Sequence, residues 1–325
     1  MENGCRQVSH GGTGYLSLNR DPRLGVSGRF LRRLLSVFVT CLLMAWTGCA
    51  FFKGHKRDPV GKILVIPDRL FAKQGDPNAL DEAIEGYLSL LVRAPEDQRV
   101  LGRLARAYTV RGSAHPQGGV GDLVVAREFG LRCLVLDPSF AGLVETAGGR
   151  ITAESVSVLE SDANTQFEAC LVWTTIAWSR WIVSRGVWSA AADLDAVEAL
   201  GRHAAKIAPD YGQGRAFQAQ GLALALRPPL LDGQGNIEAA RESFMEARQR
   251  SPDRLLIRVE QAELIEAREG NRSEWEALLR EAASAIPSKS GEDRLENLHA
   301  KTRAKSALEE GFPGSGPWKK RKQIQ

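Results

Sequence analysis

The sequence predicts an all-α protein, a helical-repeat α-solenoid of about ten to twelve helices. Three observations carry that expectation. Apolar residues recur at the helical period through most of the chain, with few alternating β-branched runs and no strand–helix–strand pattern. A recurring X-Pro step punctuates those segments at Ala94-Pro95, Asp137-Pro138, Ala208-Pro209, Ser251-Pro252 and Ile286-Pro287, where proline disfavours helical geometry in the residue before it. Finally, two blocks, Pro95 to Pro138 and Pro209 to Pro252, are both 43 residues long and sit at an offset of 114.

At the N-terminus, the apolar run LLSVFVTCLLMAWTG at residues 34 to 48 follows Arg29, Arg32 and Arg33 and stops at Cys49. A basic flank, an apolar stretch short for a span and small residues before a cysteine describe a bacterial lipoprotein signal, with Cys49 as the lipidated residue. Trp46 stands at position −3 where Leu is usual, and an uncleaved anchor is the alternative. The polar leader ahead of the arginines is long for such a signal, and a start at Val26 would shorten it. The expected division is therefore a removed leader and signal at 1–48, a tether at 49–77, a helical domain at 78–311 and a basic tail at 312–325.

From Cys49 onward the chain holds 37 basic and 37 acidic residues, which gives no electrostatic case for nucleic-acid binding. The tail residues Lys319, Lys320, Arg321 and Lys322 read as a solvated end. Beyond Cys49 two cysteines remain, Cys133 and Cys170, and spacing alone leaves their pairing open.

Within the domain, helices are expected at 79–93, 97–111, 121–136, 161–184, 187–207, 212–226, 236–250, 253–268, 272–285 and 291–310. At the offset of 114, Ala94-Pro95 falls over Ala208-Pro209, Ala105 over Ala219, Gly119 over Gly233 and Ala126-Arg127-Glu128 over Ala240-Arg241-Glu242. The repeated two-helix unit resembles the tetratricopeptide repeat, whose period is about 34 residues. Ala240, Phe244 and Ala247 before Pro252, Ala83 and Tyr87 before Pro95, Leu104-Ala105 with Tyr108, and Leu279 and Ala282 before Pro287 occupy its small and aromatic positions. The longer step is explained by insertions at GSAHPQGGVGD and LRPPLLDGQGN. Small residues let paired helices approach, and each pair hides its apolar face by stacking on a neighbour.

The segment 161–188 departs from the repeat. Trp173, Trp178, Trp181 and Trp188 fall within it, four of the seven tryptophans. One reading is core packing between the solenoid halves; the other is an apolar cleft for a hydrophobic ligand, walled by rigid aromatic rings.

Enzyme chemistry finds little support. Gly118-Gly119-x-Gly121 has no strand before it and no Lys-Ser/Thr after it. His115 and His203 lack partners at metal-ligand spacing, so no metal or cofactor is expected. Glu309-Glu310 lies on an expected solvent face, and no nucleophile elbow occurs.

Four phrases in order give a more specific resemblance: LVWTTIAWSRWI (171–182), KIAPDYGQGRAFQAQG (206–221), RPPLLDGQGNIEAARESFMEA (227–247) and ENLHAKTRAKSAL (296–308). From about residue 80 to 310 the chain resembles the TatT family, tetratricopeptide-like lipoproteins associated with TRAP transporters. It departs from the family pattern where Leu231-Asp232-Gly233 replaces a double glycine and where Val172 replaces an aromatic beside Trp173. The resemblance implies a periplasmic, membrane-tethered scaffold, not an enzyme, that binds a P-type solute-binding protein, passes a hydrophobic ligand through an apolar pore and self-associates as a trimer. In that picture Trp173, Trp178, Trp181 and Trp188 are candidate cleft residues, and Gly119, Gly121, Leu231, Asp232 and Gly233 lie in candidate partner-docking loops. The alternative function is an envelope adaptor that reads peptides or other proteins on a concave face. Ala50, which is not the aspartate linked to inner-membrane retention, leans the location toward the outer membrane.

Overall fold

A computed structural model describes residues 59–73, 75–115, 119–160, 167–228, 235–287 and 291–313. Cys49, Leu231, Asp232, Gly233 and the basic cluster at 319–322 lie outside the described residues. Among the described residues there is no strand, and the all-α expectation holds.

The first helix, α1 (Pro59–Phe71), falls inside the stretch expected to be tether. It is a built part of the domain: Leu64 and Phe71 are buried in an N-terminal core with Leu80, Ile84, Tyr87 and Leu104. An internal proline, Pro67, made this helix hard to foresee, because it removes one backbone donor. In compensation Pro67 packs where Gly86 of the next helix has no side chain, 3.0 Å from where a Cβ would stand. The Asp68 carboxylate accepts from the Tyr87 hydroxyl at 2.7 Å and from Arg103 Nε at 2.7 Å, which ties three successive helices together.

Helices α2 (Pro77–Arg93) and α3 (Gln98–Ala114) both begin on aspartate caps. Asp76 accepts from the Asn78 amide and Asp97 from the Arg99 and Val100 amides, satisfying donors that a helix start leaves open. Then come α4 (Val120–Leu134), α5 (Pro138–Thr146) and the short α6 (Ala153–Ser157). Two of these were not expected from periodicity. Asp137-Pro138 both ends the stretch after α4 and starts α5, since proline suits the first helical position and Asp137 caps it through the Phe140 amide. A Thr152/Ser155 capping box starts α6.

The long α7 (Phe167–Arg185) is buried around most of its circumference and runs through the largest core. A 3-10 turn (Val187–Asp193) leads to α8 (Leu194–Ile207), followed by α9 (Arg215–Ala225) and α10 (Gly235–Arg250). The expected helix at 253–268 is α11 (Leu255–Gln261), a π-helical turn (Ala262–Glu266) and α12 (Ala267–Glu269). Last come α13 (Arg272–Ser284) and α14 (Arg294–Glu310), which share a third core around Trp275, Leu279 and Ala300. Phe312, at the start of the expected tail, meets Trp275 edge to face at 5.4 Å.

Cys133 of α4 and Cys170 of α7 form a disulfide, with Cα atoms 6.1 Å apart. Beside it Gly130 lets the two helices close: a Cβ there would stand 1.8 Å from Thr174 Oγ1. Thr174 and Thr175 turn their hydroxyls back onto the carbonyls of Cys170 and Leu171, at 2.5 and 2.8 Å, so α7 buries them with their donors used. Among the described residues no helix is long and apolar enough to cross a membrane.

Candidate functional site

The four tryptophans do not converge. Five residues apart on α7, Trp173 and Trp178 point about 140° from each other, and their surroundings differ accordingly. Trp178 donates through Nε1 to Asp193 Oδ2 at 3.2 Å, and the Arg127 guanidinium covers both Trp178 and Trp181, at 5.1 and 5.3 Å from the ring centroids. Trp178 is thus core beneath a cationic cap, with Trp181 half-buried beside it. Trp188 sits on the 3-10 turn with 63% of its surface exposed.

Trp173 alone of the four lines a described cavity. The space measures about 360 Å³ and opens between α3, α7, the loop before α9 and the start of α14. Trp173 Nε1 donates to the Tyr211 hydroxyl at 3.1 Å. The guanidinium carbons of Arg106 and Arg215 lie 5.5 and 4.9 Å from the Trp173 ring centroid. Burial raises the Tyr211 phenol above its ordinary value, so it stays protonated. The Arg106 side chain engages Glu292 through Nη2 at 2.7 Å, whereas its Nε is buried with no acceptor.

One wall is backbone in an uncommon conformation. Gly212, Gln213 and Gly214 all have positive φ, at 54°, 52° and 90°, and Gln213 is the one non-glycine residue in that region among those described. Arg254 holds this turn, donating to the carbonyls of Gln213 and Gly212 at 3.1 and 3.0 Å. It also pairs with Asp293 at 3.1 Å, and Arg215 reaches the same carboxylate at 2.6 Å. Burial and the neighbouring Arg215 charge bring Arg254 down to about 10. Burial works against the Asp293 carboxylate, yet the charges of Arg215 and Arg254 hold it well below the usual range.

Behind Arg215 runs a closed ring of buried polar groups. Arg215 donates to Gln218 Oε1 at 3.0 Å and pairs with Glu296, which is fully buried. Glu296 also accepts from Arg180 Nη1 at 3.2 Å, Arg180 Nε reaches Glu260 at 2.9 Å, and Gln218 Nε2 closes the ring on Glu260 at 2.6 Å. Arg180 and Glu260 in turn line a second cavity of about 170 Å³, with Ser113, His299, Arg303 and an apolar wall that includes Leu222, Leu256 and Leu264. Burial, then the charges of Arg303 and Arg180, drives His299 down to about 4. The two cavities therefore meet at one ring of side chains, Arg215 on one side and Arg180 with Glu260 on the other.

A family model described as TRAP transporter T-component, TAtT, matches residues 125–311. The chain belongs to the TRAP transporter T-component family. That match covers more than half of the chain and takes in α7, α9, α11 and α14, and with them the whole ring; Arg106 and Ser113 on α3 precede it. No curated protein matches. Family membership makes the chain an accessory component of a TRAP transport system.

Of the expected docking-loop residues, Gly119 and Gly121 stand at the N-terminus of α4, where neither would meet another atom if it carried a Cβ. Sequence reading missed the arginines and carboxylates that build the cavities. Their signal lies in the two matching blocks: at the offset of 114, Arg215 stands where the first block has Leu101 and Gln218 where it has Leu104, a polar pair inserted into an apolar stripe. Among the described residues no group of His, Cys, Asp and Glu is arranged to hold a metal ion.

Proposed function

We propose that this T-component works in the periplasm as a lipid-tethered scaffold that docks a P-type solute-binding protein and gives its ligand a way station in the Trp173 cavity. The observation that carries the reading is a cavity of about 360 Å³ built largely from residues inside the family match, which is within the size range of small-molecule sites. Its walls, with Arg106, Arg215 and Arg254 around Tyr211 and the two arginines nearest Trp173 stacked over that ring, favour a ligand that carries hydrogen-bond acceptors. The neighbouring cavity across the Arg180–Glu296–Arg215 ring would continue the path. The Cys133–Cys170 disulfide supports a location outside the cytoplasm, where such bonds persist. Cys49 would carry the lipid, and the loops at Gly119, Gly121 and Leu231–Gly233 would face the partner, with self-association as a trimer a further part of this reading.

The test is purification of the tagged chain from gently solubilised envelopes, with mass spectrometry of the bound proteins and small molecules. Recovery of a periplasmic solute-binding protein is expected. Ligand retention should fall about tenfold in Tyr211→Phe, the loss expected when one hydrogen bond to the ligand is removed, with helicity kept and Trp178→Phe unaffected. Recovery of envelope assembly factors alone, with no ligand, would replace this reading by the adaptor.

A further inference from the structure

We propose that the outward face of α1 lies on the membrane surface, so that the lipid anchor and this helix together fix the orientation of the domain. The inference rests on the reading of Cys49 as the lipidated residue. Helix α1 has two unlike sides. Inward, Leu64, Pro67 and Phe71 are buried, and Asp68, the one acidic residue of the helix, is turned to Tyr87 and Arg103. Outward, Ile63, Val65 and Ile66 expose 39%, 43% and 65% of their surface. Lys62 and Arg69, also exposed, stand one turn before and one turn after Ile66 on the same side.

An apolar centre with a basic residue at each end, the helix's one carboxylate being held by Tyr87 and Arg103, is the pattern of a helix lying in a lipid interface, where long basic side chains reach the headgroups. Other strongly exposed apolar residues, Val92, Trp188 and Ile286, come singly along the chain.

The anchor decides between lipid and other occupants of this face. Cys49 precedes Pro59 by ten residues, a length of chain that spans at most about 35 Å when fully extended. The start of α1 is therefore never farther than that from the acylated sulfur. The intervening sequence adds Lys53, Lys56 and Arg57 against one acid, Asp58, a balance that draws this end toward an anionic leaflet. A short tether also keeps the effective concentration of the surface high, so even a weak interfacial helix docks.

Labelling tests this in the lipidated full-length protein. Cys133 and Cys170 are joined to each other, which leaves a thiol introduced by Ile66→Cys as the reactive one of the mature chain. An environment-sensitive fluorophore at 66, in vesicles of phosphatidylethanolamine and phosphatidylglycerol, should shift to the blue and lose its emission to nitroxide-bearing lipids. The same label in Val92→Cys and in Ile286→Cys should do neither. Neutralising Lys62 and Arg69 in the Ile66→Cys background should weaken the quenching, each basic group near an anionic surface being worth about fivefold in binding. Mass spectrometry of the N-terminal peptide separates the two levels of the argument. Acyl chains present with a water-exposed label at 66 would overturn the membrane face and leave the anchor standing; no acyl chains would overturn both. A blue shift without vesicles that grows with protein concentration would assign the face to a second copy of the chain, again against the proposal.

Discussion

The helix pairs α3–α4 and α9–α10 occupy corresponding blocks of the sequence, 114 residues apart, yet they bury opposite chemistry. Their shared residues are the small ones at the helix contacts: Ala105 and Ala219, and Ala126 and Ala240, are all fully buried. Where the first pair buries Leu101 and Leu104 in hydrocarbon, the second buries Arg215 and Gln218 in the polar ring. A third position separates them again. The first pair has Gly130, over which α7 closes at Thr174, and the second has Phe244, whose ring lies 3.1 Å from where a Cβ of Gly221 would stand. The lesson is a division of labour. Contacts that make a helix pair are held by small residues, while residues beside them are free to become hydrocarbon core in one block and a buried polar ring in the other.

The largest effect is expected from making the second pair resemble the first. Arg215→Leu would leave Glu296 and Asp293 in place without one of their cationic partners, and removing one member of a buried ionic group costs about 3–5 kcal/mol. Chemical denaturation should show a lowered midpoint, with the unfolding free energy reduced by that amount. An unchanged midpoint would mean that hydrocarbon serves as well as charge at this position, and the contrast between the pairs would lose its energetic content.

The next effect is a pH dependence. His299 titrates near 4 in the fold and near 6.5 when unfolded. Between those values the unfolded chain binds a proton that the folded chain does not, so stability falls as the pH drops from about 6.5 to about 4. The loss is about 3 kcal/mol in all, at about 1.36 kcal/mol per pH unit. His299→Gln should flatten that window. The carboxylates Asp293 and Glu296, whose values are lowered, lose their contribution at more acid pH, below about 4.5. Persistence of the slope in the glutamine variant would place the titrating group elsewhere.

The smallest effect probes the glycine contrast. Gly130→Ala pushes a methyl group into Thr174 and should cost about 1–3 kcal/mol by overpacking. Alanine at Gly121, with open space around its Cβ, should be nearly neutral. Equal effects at both would mean that α4 and α7 adjust freely to one another.

Much of this fold is legible in the sequence because it depends on local signals. Periodicity, the X-Pro steps and the duplicated small residues locate the repeat helices to within a few residues. Helices α1, α5 and α6 escape that reading: α1 carries a proline whose compensation lies in another helix, and the other two are short and held by caps more than by an apolar stripe. The site is less legible for a related reason. Spacing shows that Trp173, Trp178 and Trp181 share a helix, but the neighbours that make one a cavity wall and the others a covered core, Arg106, Arg215 and Arg127, come from elsewhere in the chain. The charges paired across the ring, Arg215 with Glu296 and Arg180 with Glu260, are separated by about 80 residues. No local pattern announces such a pairing.

Both sulfurs of the Cys133–Cys170 bond belong to residues with no exposed surface. Once α4 and α7 have closed, neither an oxidant nor a reductant in solution touches them directly. Exchange with outside thiols therefore has to wait for the α4–α7 contact to open, so the lifetime of the bond follows the stability of that contact rather than the redox state around the protein.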